Sequence, residues 1–256
     1  LLLIIMGAAI FAPLLAPYDP FSTNTLRRLS SPEFGPHLLG TDELGRDLLS
    51  RLLYGGRLSL FIGFTPVLIA TLVGAGLGIM AGYAGGFANT AIMRTIDVFY
   101  AFPSVLLAVA ISGVLGAGIG NSILSLSLVF IPPIARVAEG VTTQIRSQDY
   151  VEAARCTGAA AHRIVFSHIL PNVTGPILSY ASSLISVSIV LASGLSFLGL
   201  GVTPPDAEWG LMLNTLRQAI YIAPINAVLP GLLIFATSMC FNLVSDALRS
   251  AMDVKQ

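Results

Sequence analysis

Charge is scarce in this chain. Thirteen basic and 13 acidic residues make up only 10% of its 256 positions, while hydrophobic residues make up 55%. A soluble domain carries roughly 25% charged residues, so this composition cannot cover a water-facing surface and excludes a soluble globular enzyme. The balance of signs leaves no basic excess for phosphates and excludes a nucleic-acid partner. Lysine is scarcest: Lys255 stands alone, and no lysine follows a glycine turn as an ATP-binding loop of the G-x-x-x-x-G-K-[ST] type requires. The two cysteines, Cys156 and Cys240, are far apart, which argues against a disulfide or thiolate site. His37, His162 and His168 lack ligand spacing, so no metal site is expected. What remains is a multi-pass membrane protein.

Long apolar stretches are plentiful. The first runs over 1–16 and reads as a membrane helix whose start is missing. The rival reading, the apolar core of a signal peptide, lacks the basic leader such a segment carries. Five further stretches cover about 58–82, 98–116, 121–137, 175–200 and 224–244, each long enough to cross a bilayer. Six helices predict an all-α membrane bundle, a single domain over 1–256 with both termini on one side. Long polar connections fall at 17–57 and 138–174, and a medium one at 201–223. Lys and Arg divide seven against six between the two sides, so the charge bias leaves orientation open. The spans hold no charge away from their ends, unlike ion-coupled transporters and voltage-sensing channels, so the driving energy is expected to come from a partner.

Gly74, Gly78 and Gly82 repeat every four residues, which predicts a close helix–helix approach. From Thr41 the chain predicts an amphipathic helix at the membrane interface. Thr41 or Asp42 would cap it, Leu44, Leu48, Leu49, Leu52 and Leu53 would form its apolar stripe, and Asp47 and Arg51 would pair across one turn. In 175–200, Ser179, Ser182, Ser183, Ser186 and Ser193 share one helix face, with Ser188 opposite. That face reads either as small-residue packing or as the lining of a polar passage.

The 138–174 connection carries the mechanism. Asp149 is expected to cap a short helix from Tyr150, with Glu152 reaching back, and Gly158 to end it in the left-handed conformation. A second short helix over about 159–169 would turn Ile164, Val165 and Ile169 to one side before Pro171 leads into the next span. Two short helices on a membrane face make a docking knob.

Glu152-Ala153-Ala154, then Gly158, then Leu170-Pro171 resembles the E-A-A-x-x-x-G-x(9)-I-x-L-P motif of ABC importer permeases, with His168 at the isoleucine position. Four other stretches resemble the dipeptide, oligopeptide and nickel branch, specifically its second permease: LGTDELGRDLLSRLLYGGRLSL at 39–60, AFPSVLLAVA at 101–110, LSFLGLGVTPPDAEWGLML at 195–213 and FNLVSDALRSAMD at 241–253. The likeness covers essentially the whole chain. Ser245 replaces a usual glycine and Val254 a usual proline.

The resemblance implies the six-helix fold of type I (MetI-like) ABC importer permeases in a bacterial or archaeal cytoplasmic membrane. It implies no catalysis in this chain. The partners would be a second, similar permease, two ATPase subunits that bind ATP and Mg, and an extracytoplasmic binding protein. Glu152, Ala153, Ala154, Gly158, Leu170 and Pro171 would couple to the ATPases. This makes 138–174 cytoplasmic and 17–57 and 201–223 outward-facing. Dipeptides, longer peptides, glutathione-like compounds and metal chelates all remain open as substrates. The alternative is a stand-alone secondary transporter or channel, disfavoured by the uncharged spans and the cytoplasmic knob. An intramembrane hydrolase would need a histidine inside a span, and none is there.

Overall fold

The computed structural model describes residues 1–32 and 36–253. Val254 and Lys255, singled out above, lie outside the described residues. Among the described residues the regular structure is helical, and the isolated bridge between Thr41 and Asp47 belongs to no strand. The α-helices are α1 (Leu2–Ile10), α2 (Ala12–Leu15), α3 (Leu48–Ala84), α4 (Gly86–Tyr100), α5 (Ser104–Leu115), α6 (Ile119–Arg146), α7 (Asp149–Cys156), α8 (Ala161–Ile164), α9 (Leu170–Phe197), α10 (Trp209–Leu216) and α11 (Pro224–Asp253). A π-helical turn, Val165–Ile169, joins α8 to α9.

Among the described residues four helical segments are long and apolar enough to cross a membrane: Leu48–Ala84, Ile119–Arg146, Ala161–Phe197 and Pro224–Ala251. The stretch expected at 98–116 is not one straight span. It begins inside α4, breaks at Ala101–Pro103, and resumes in α5 at 84° to α4; the pair makes a fifth crossing if counted as one broken span. Pro103 is responsible, because proline biases the residue before it away from the helical conformation. The stretch at 1–16 is helical in two short pieces, α1 and α2, with Pro13 in the first turn of α2.

The chain divides into two compact units. One comprises 1–65, 108–125 and 185–241, the other 66–107, 126–184 and 242–256, so each of the four long segments supplies residues to both.

In the first unit the predicted helix from Thr41 is replaced by a closed turn. The Asp42 carboxylate accepts from the backbone N–H groups of Leu44 and Arg46, both at 2.9 Å, and pairs with Arg46 Nε at 2.6 Å and Arg51 Nε at 3.2 Å. These local bonds compete with helix formation. The helix starts instead at Leu48, capped by Asp47, whose Oδ2 accepts from Ser50 N at 2.8 Å and Ser50 Oγ at 2.7 Å. Arg51 therefore pairs with Asp42 and not Asp47. Leu48 and Leu52 are buried and Leu49 and Leu53 half-buried, as a stripe requires, but Leu44 is 42% exposed and the charged Arg46, Asp47 and Arg51, expected off the stripe, are buried too.

Glu208 caps α10 from within the same unit. Its carboxylate accepts from Gly210 N at 2.9 Å, Leu211 N at 2.8 Å and Ser59 Oγ at 3.0 Å. Trp209 N donates to Ser59 Oγ at 3.0 Å and Trp209 Nε1 to Leu52 O at 2.9 Å. The indole lies against Gly55 and Gly56, where an added Cβ would stand 3.2 and 3.0 Å from the ring. Burial pushes the Glu208 carboxyl above its ordinary value of 4.5, and the donated hydrogen bonds offset only part of that rise.

In the second unit the glycine repeat does what its spacing predicts. A Cβ on Gly74, Gly78 or Gly82 would meet the carbonyl oxygens of Ile131, Ala135 and Glu139 at 2.8, 2.3 and 2.8 Å. The two helices touch backbone to backbone in matching four-residue steps.

Two outcomes are expected for the purified protein. Gly78→Leu should lower the unfolding midpoint by an amount equivalent to about 1–3 kcal/mol of overpacking, whereas Gly76→Ala, with nothing within 4 Å of its added Cβ, should leave it unchanged or slightly raised. A neutral Gly78→Leu would contradict the close approach. Because Glu208 holds its proton more tightly folded than unfolded, its contribution to stability should fall as pH rises upward from 4.5. Glu208→Gln should remove that component of the pH dependence; an unchanged pH profile in the variant would contradict it.

Candidate coupling and pathway sites

The connection expected over 138–174 is shorter in the structure: 138–146 continue α6 and 170–174 open α9, leaving α7, α8 and the π-helical turn between them, all in the second unit. α7 begins one residue earlier than expected. Gln148 occupies the N-cap with extended backbone, its carbonyl accepts from Val151 N and Glu152 N, and no side chain caps the helix. Asp149 and Glu152 thus lie inside the first turn, where their charge meets the positive helix end, and Arg155 meets the negative end. The expected capping box is absent because the helix geometry already reaches Asp149.

The other end follows the sequence closely. Gly158 sits at φ +78°, Gly158 N donates to Arg155 O at 3.0 Å, and Ala159 N donates to Ala154 O at 3.2 Å. That pair of bonds is the Schellman arrangement, which fixes the chain's exit angle. Open space surrounds Gly158, so its requirement is conformational and not steric.

The expected second helix is not separate. α8 runs through the π-helical turn into α9, with Leu170 N donating to Val165 O. A wider turn just ahead of Pro171, which lacks an N–H, accommodates the proline within a continuous helix. Ile164 and Ile169 are buried as expected and Val165 is half-buried.

Val151 anchors α7 at 0% exposure, while Glu152, Ala153 and Gly158 are exposed and Ala154 is half-buried. Leu170 is half-buried and Pro171 exposed. Two contacts that the sequence did not signal brace this surface. The Arg155 guanidinium lies 5.2 Å from the Tyr83 ring centroid, and the Tyr150 and His168 rings are 6.2 Å apart; Phe166 stands 68% exposed. Below it, Arg146 Nη1 donates to Gly82 O at 3.2 Å and fills the space a side chain at Gly85 would need; Asn89 Nδ2 donates to Glu139 Oε1 at 2.6 Å. Glycine spacing hinted at the Gly82 contact; nothing hinted at Arg155 and Tyr83.

The serine face of α9 is divided between the units. In the second, Ser179 is 6% exposed, and the Ser182 and Ser245 hydroxyls are hydrogen-bonded at 3.0 Å, so the serine in place of a usual glycine has a polar neighbour. Ser183 is half-buried, its hydroxyl donates to Tyr180 O at 2.7 Å, and it lies one turn before the exposed Val187. In the first unit, Ser186 and Ser193 are 6% and 5% exposed; Ser186 O accepts from Ser238 Oγ, and a Cβ on Gly210 would stand 2.3 Å from Ser193 O. Ser188, opposite, is 0% exposed. Three of the five serines are thus turned against the chain's own helices, where small side chains permit close packing.

Comparison with known proteins agrees with this architecture. The family described as binding-protein-dependent transport system inner membrane component matches residues 74–255. The glutathione transport system permease protein GsiD of Pectobacterium atrosepticum is 43% identical over 99% of this chain and 84% of its own length. The di/tripeptide transport system permease protein DppC of Pseudomonas aeruginosa is 42% identical over 99% and 86%. Among solved structures, an inward-facing MetNI methionine ABC transporter chain matches with a TM-score of 0.61 at 18% identity, covering 77% of this chain and 96% of that one. With the fold, the helical connection and nearly the full length in agreement, the chain belongs to the binding-protein-dependent transport system inner membrane components, the permease subunits of ABC importers.

Proposed function

We propose that this permease is one of a pair forming the passage of an ATP-driven importer for short peptides or related small solutes such as glutathione. Its similarity to permeases named for di/tripeptides and for glutathione supports that substrate class. A second permease would complete the passage, two ATPase subunits would bind ATP and Mg, and an extracytoplasmic binding protein would deliver the solute. Residues 138–174 would face the cytoplasm of a bacterial inner membrane, and 17–57 and 201–223 the outside.

The observation that carries the coupling role is the ending of α7. A short helix with exposed Glu152 and Ala153, anchored by buried Val151 and closed by a left-handed glycine, has a fixed direction. Push it from outside and it moves as a body with the helices it braces. Leu170 and Pro171 carry that motion into α9. Ser183 is the serine best placed to line the passage, since it lies toward the uncovered side of its helix.

Gly158→Val tests this most cleanly, because a β-branched residue in the left-handed region costs about 1–2 kcal/mol while meeting no neighbour. The variant should insert and pair normally, yet its substrate-stimulated ATP hydrolysis and uptake should fall about tenfold as the exit angle is lost. Glu152→Lys should additionally weaken retention of the ATPase subunits on co-purification. Wild-type hydrolysis and uptake in the Gly158 variant would contradict the coupling role.

A further inference from the structure

A second polar feature lies in the first unit, away from the connection just described. Phe21, Tyr54, Arg57, Leu58, Phe61, Asp206 and Ala207 line an open cavity of about 400 Å³, within the range of roughly 300–1,000 Å³ typical of small-ligand sites. Its walls come from the 17–57 segment, the first turns of α3 and the 201–208 loop.

These walls are tied together by a buried group. Arg51, 3% exposed, donates from Nη1 to Pro20 O at 3.1 Å and to Pro205 O at 3.5 Å, and from Nη2 to Asp206 O at 3.3 Å. One guanidinium therefore holds the backbone next to Phe21 and the backbone of Asp206 on either side of the cavity. Asp42 balances its charge at 3.2 Å. The cavity is preformed, which lowers the cost of binding.

Its polar groups are not closed off by direct contacts. Among the described residues the side chains of Arg57 and Asp206 and the Tyr54 hydroxyl take no hydrogen bond or ion pair, and Arg57 and Asp206 do not pair with each other; the Asp206 carboxylate acts on the buried Arg51 only at longer range. A cation and an anion thus share one cavity across a gap, with Phe21 and Phe61, 46% and 54% exposed, as apolar surface. That combination matches a small zwitterion with an apolar body.

We propose that this cavity is a transit subsite for short peptides with free termini, taking the carboxylate at Arg57, the ammonium at Asp206 and an apolar side chain against Phe21 and Phe61. The inference rests on the peptide-import reading above. A bidentate guanidinium suits a carboxylate, and a dipeptide's termini, up to about 7 Å apart along the chain, can bridge groups too far apart to pair directly. Both charges remain accessible to water, so each contact is worth at most about 1 kcal/mol. Such a site admits a peptide without retaining it.

The test uses the assembled transporter, both permeases with their ATPases, in nanodiscs without binding protein. The photoreactive dipeptide alanyl-benzoylphenylalanine is the probe, and cross-links are mapped by mass spectrometry. Labelling is expected at Phe21, within 54–61 or at 206–207. Excess Ala-Phe should abolish it, and N-acetyl-Ala-Phe-amide should not. Arg57→Gln and Asp206→Asn should each reduce it about fivefold, as loss of one exposed charge pair implies. Labelling elsewhere only, labelling equal in both variants, or equal competition by the blocked peptide would overturn the subsite. Binding-protein-dependent uptake of Ala-Phe by the same wild-type preparation separates the two claims. Normal uptake without competed labelling defeats the subsite alone, whereas absent uptake defeats the peptide-import reading and the subsite with it.

Discussion

Three carbonyl oxygens of α6 occupy the space where side chains at 74, 78 and 82 would stand. In hydrocarbon there is no hydrophobic drive to bring helices together, so dispersion contact over closely approaching backbones must supply the attraction. The consequences extend along the second unit. Contact at Gly82 brings its carbonyl within reach of Arg146, whose guanidinium then excludes any side chain from Gly85. Gly85 turns the chain from α3 into α4 and leaves Asn89 bonded to Glu139. Tyr83, one residue past the last close contact, receives Arg155 from α7. The short helix is thereby positioned by a helix pair whose separation is fixed by absent atoms.

The first unit follows a different rule, that of ionisable groups removed from water and held by ionic and hydrogen-bond partners. Arg51 and Glu208 are both almost completely buried. Burying either alone would cost several kcal/mol. Arg51 is compensated by Asp42 and by three backbone carbonyls, Glu208 by two backbone N–H groups and Ser59. Each ties segments far apart in sequence: residues 20, 51 and 205–206 in one case, 59 and 208–211 in the other. Breaking either group out of its partners would leave an uncompensated charge, which makes these positions less replaceable than their neighbours.

Much of this was legible before any coordinates. Apolar length marked most of the crossings, glycine spacing marked the α3–α6 contact, and Gly158 marked the end of α7 because a left-handed position narrows the choice to glycine. What escaped notice required knowing which side chains meet. Asp42 and Asp47 are both plausible caps by composition, and only the competing bonds from Leu44, Arg46 and Arg51 decide for Asp47. The same network buries charges that periodicity had placed on an outer face. Ser179, Ser186 and Ser193 share a face on any helical projection, yet what covers that face comes from other helices, α11 over Ser179 and Ser186 and α10 over Ser193. The π-helical turn before Pro171 likewise has no signature in residue spacing.

The central claim is that α7 projects into the cytoplasm and is covered there by an ATPase subunit. Cys156, the last residue of α7, is exposed in this chain and offers a native probe. With Cys240 replaced by serine, a membrane-impermeant maleimide should label Cys156 in inside-out vesicles stripped of ATPase subunits, and labelling should fall sharply when those subunits are restored. Labelling of Cys156 in right-side-out vesicles, or labelling undiminished by the restored ATPases, would contradict the account.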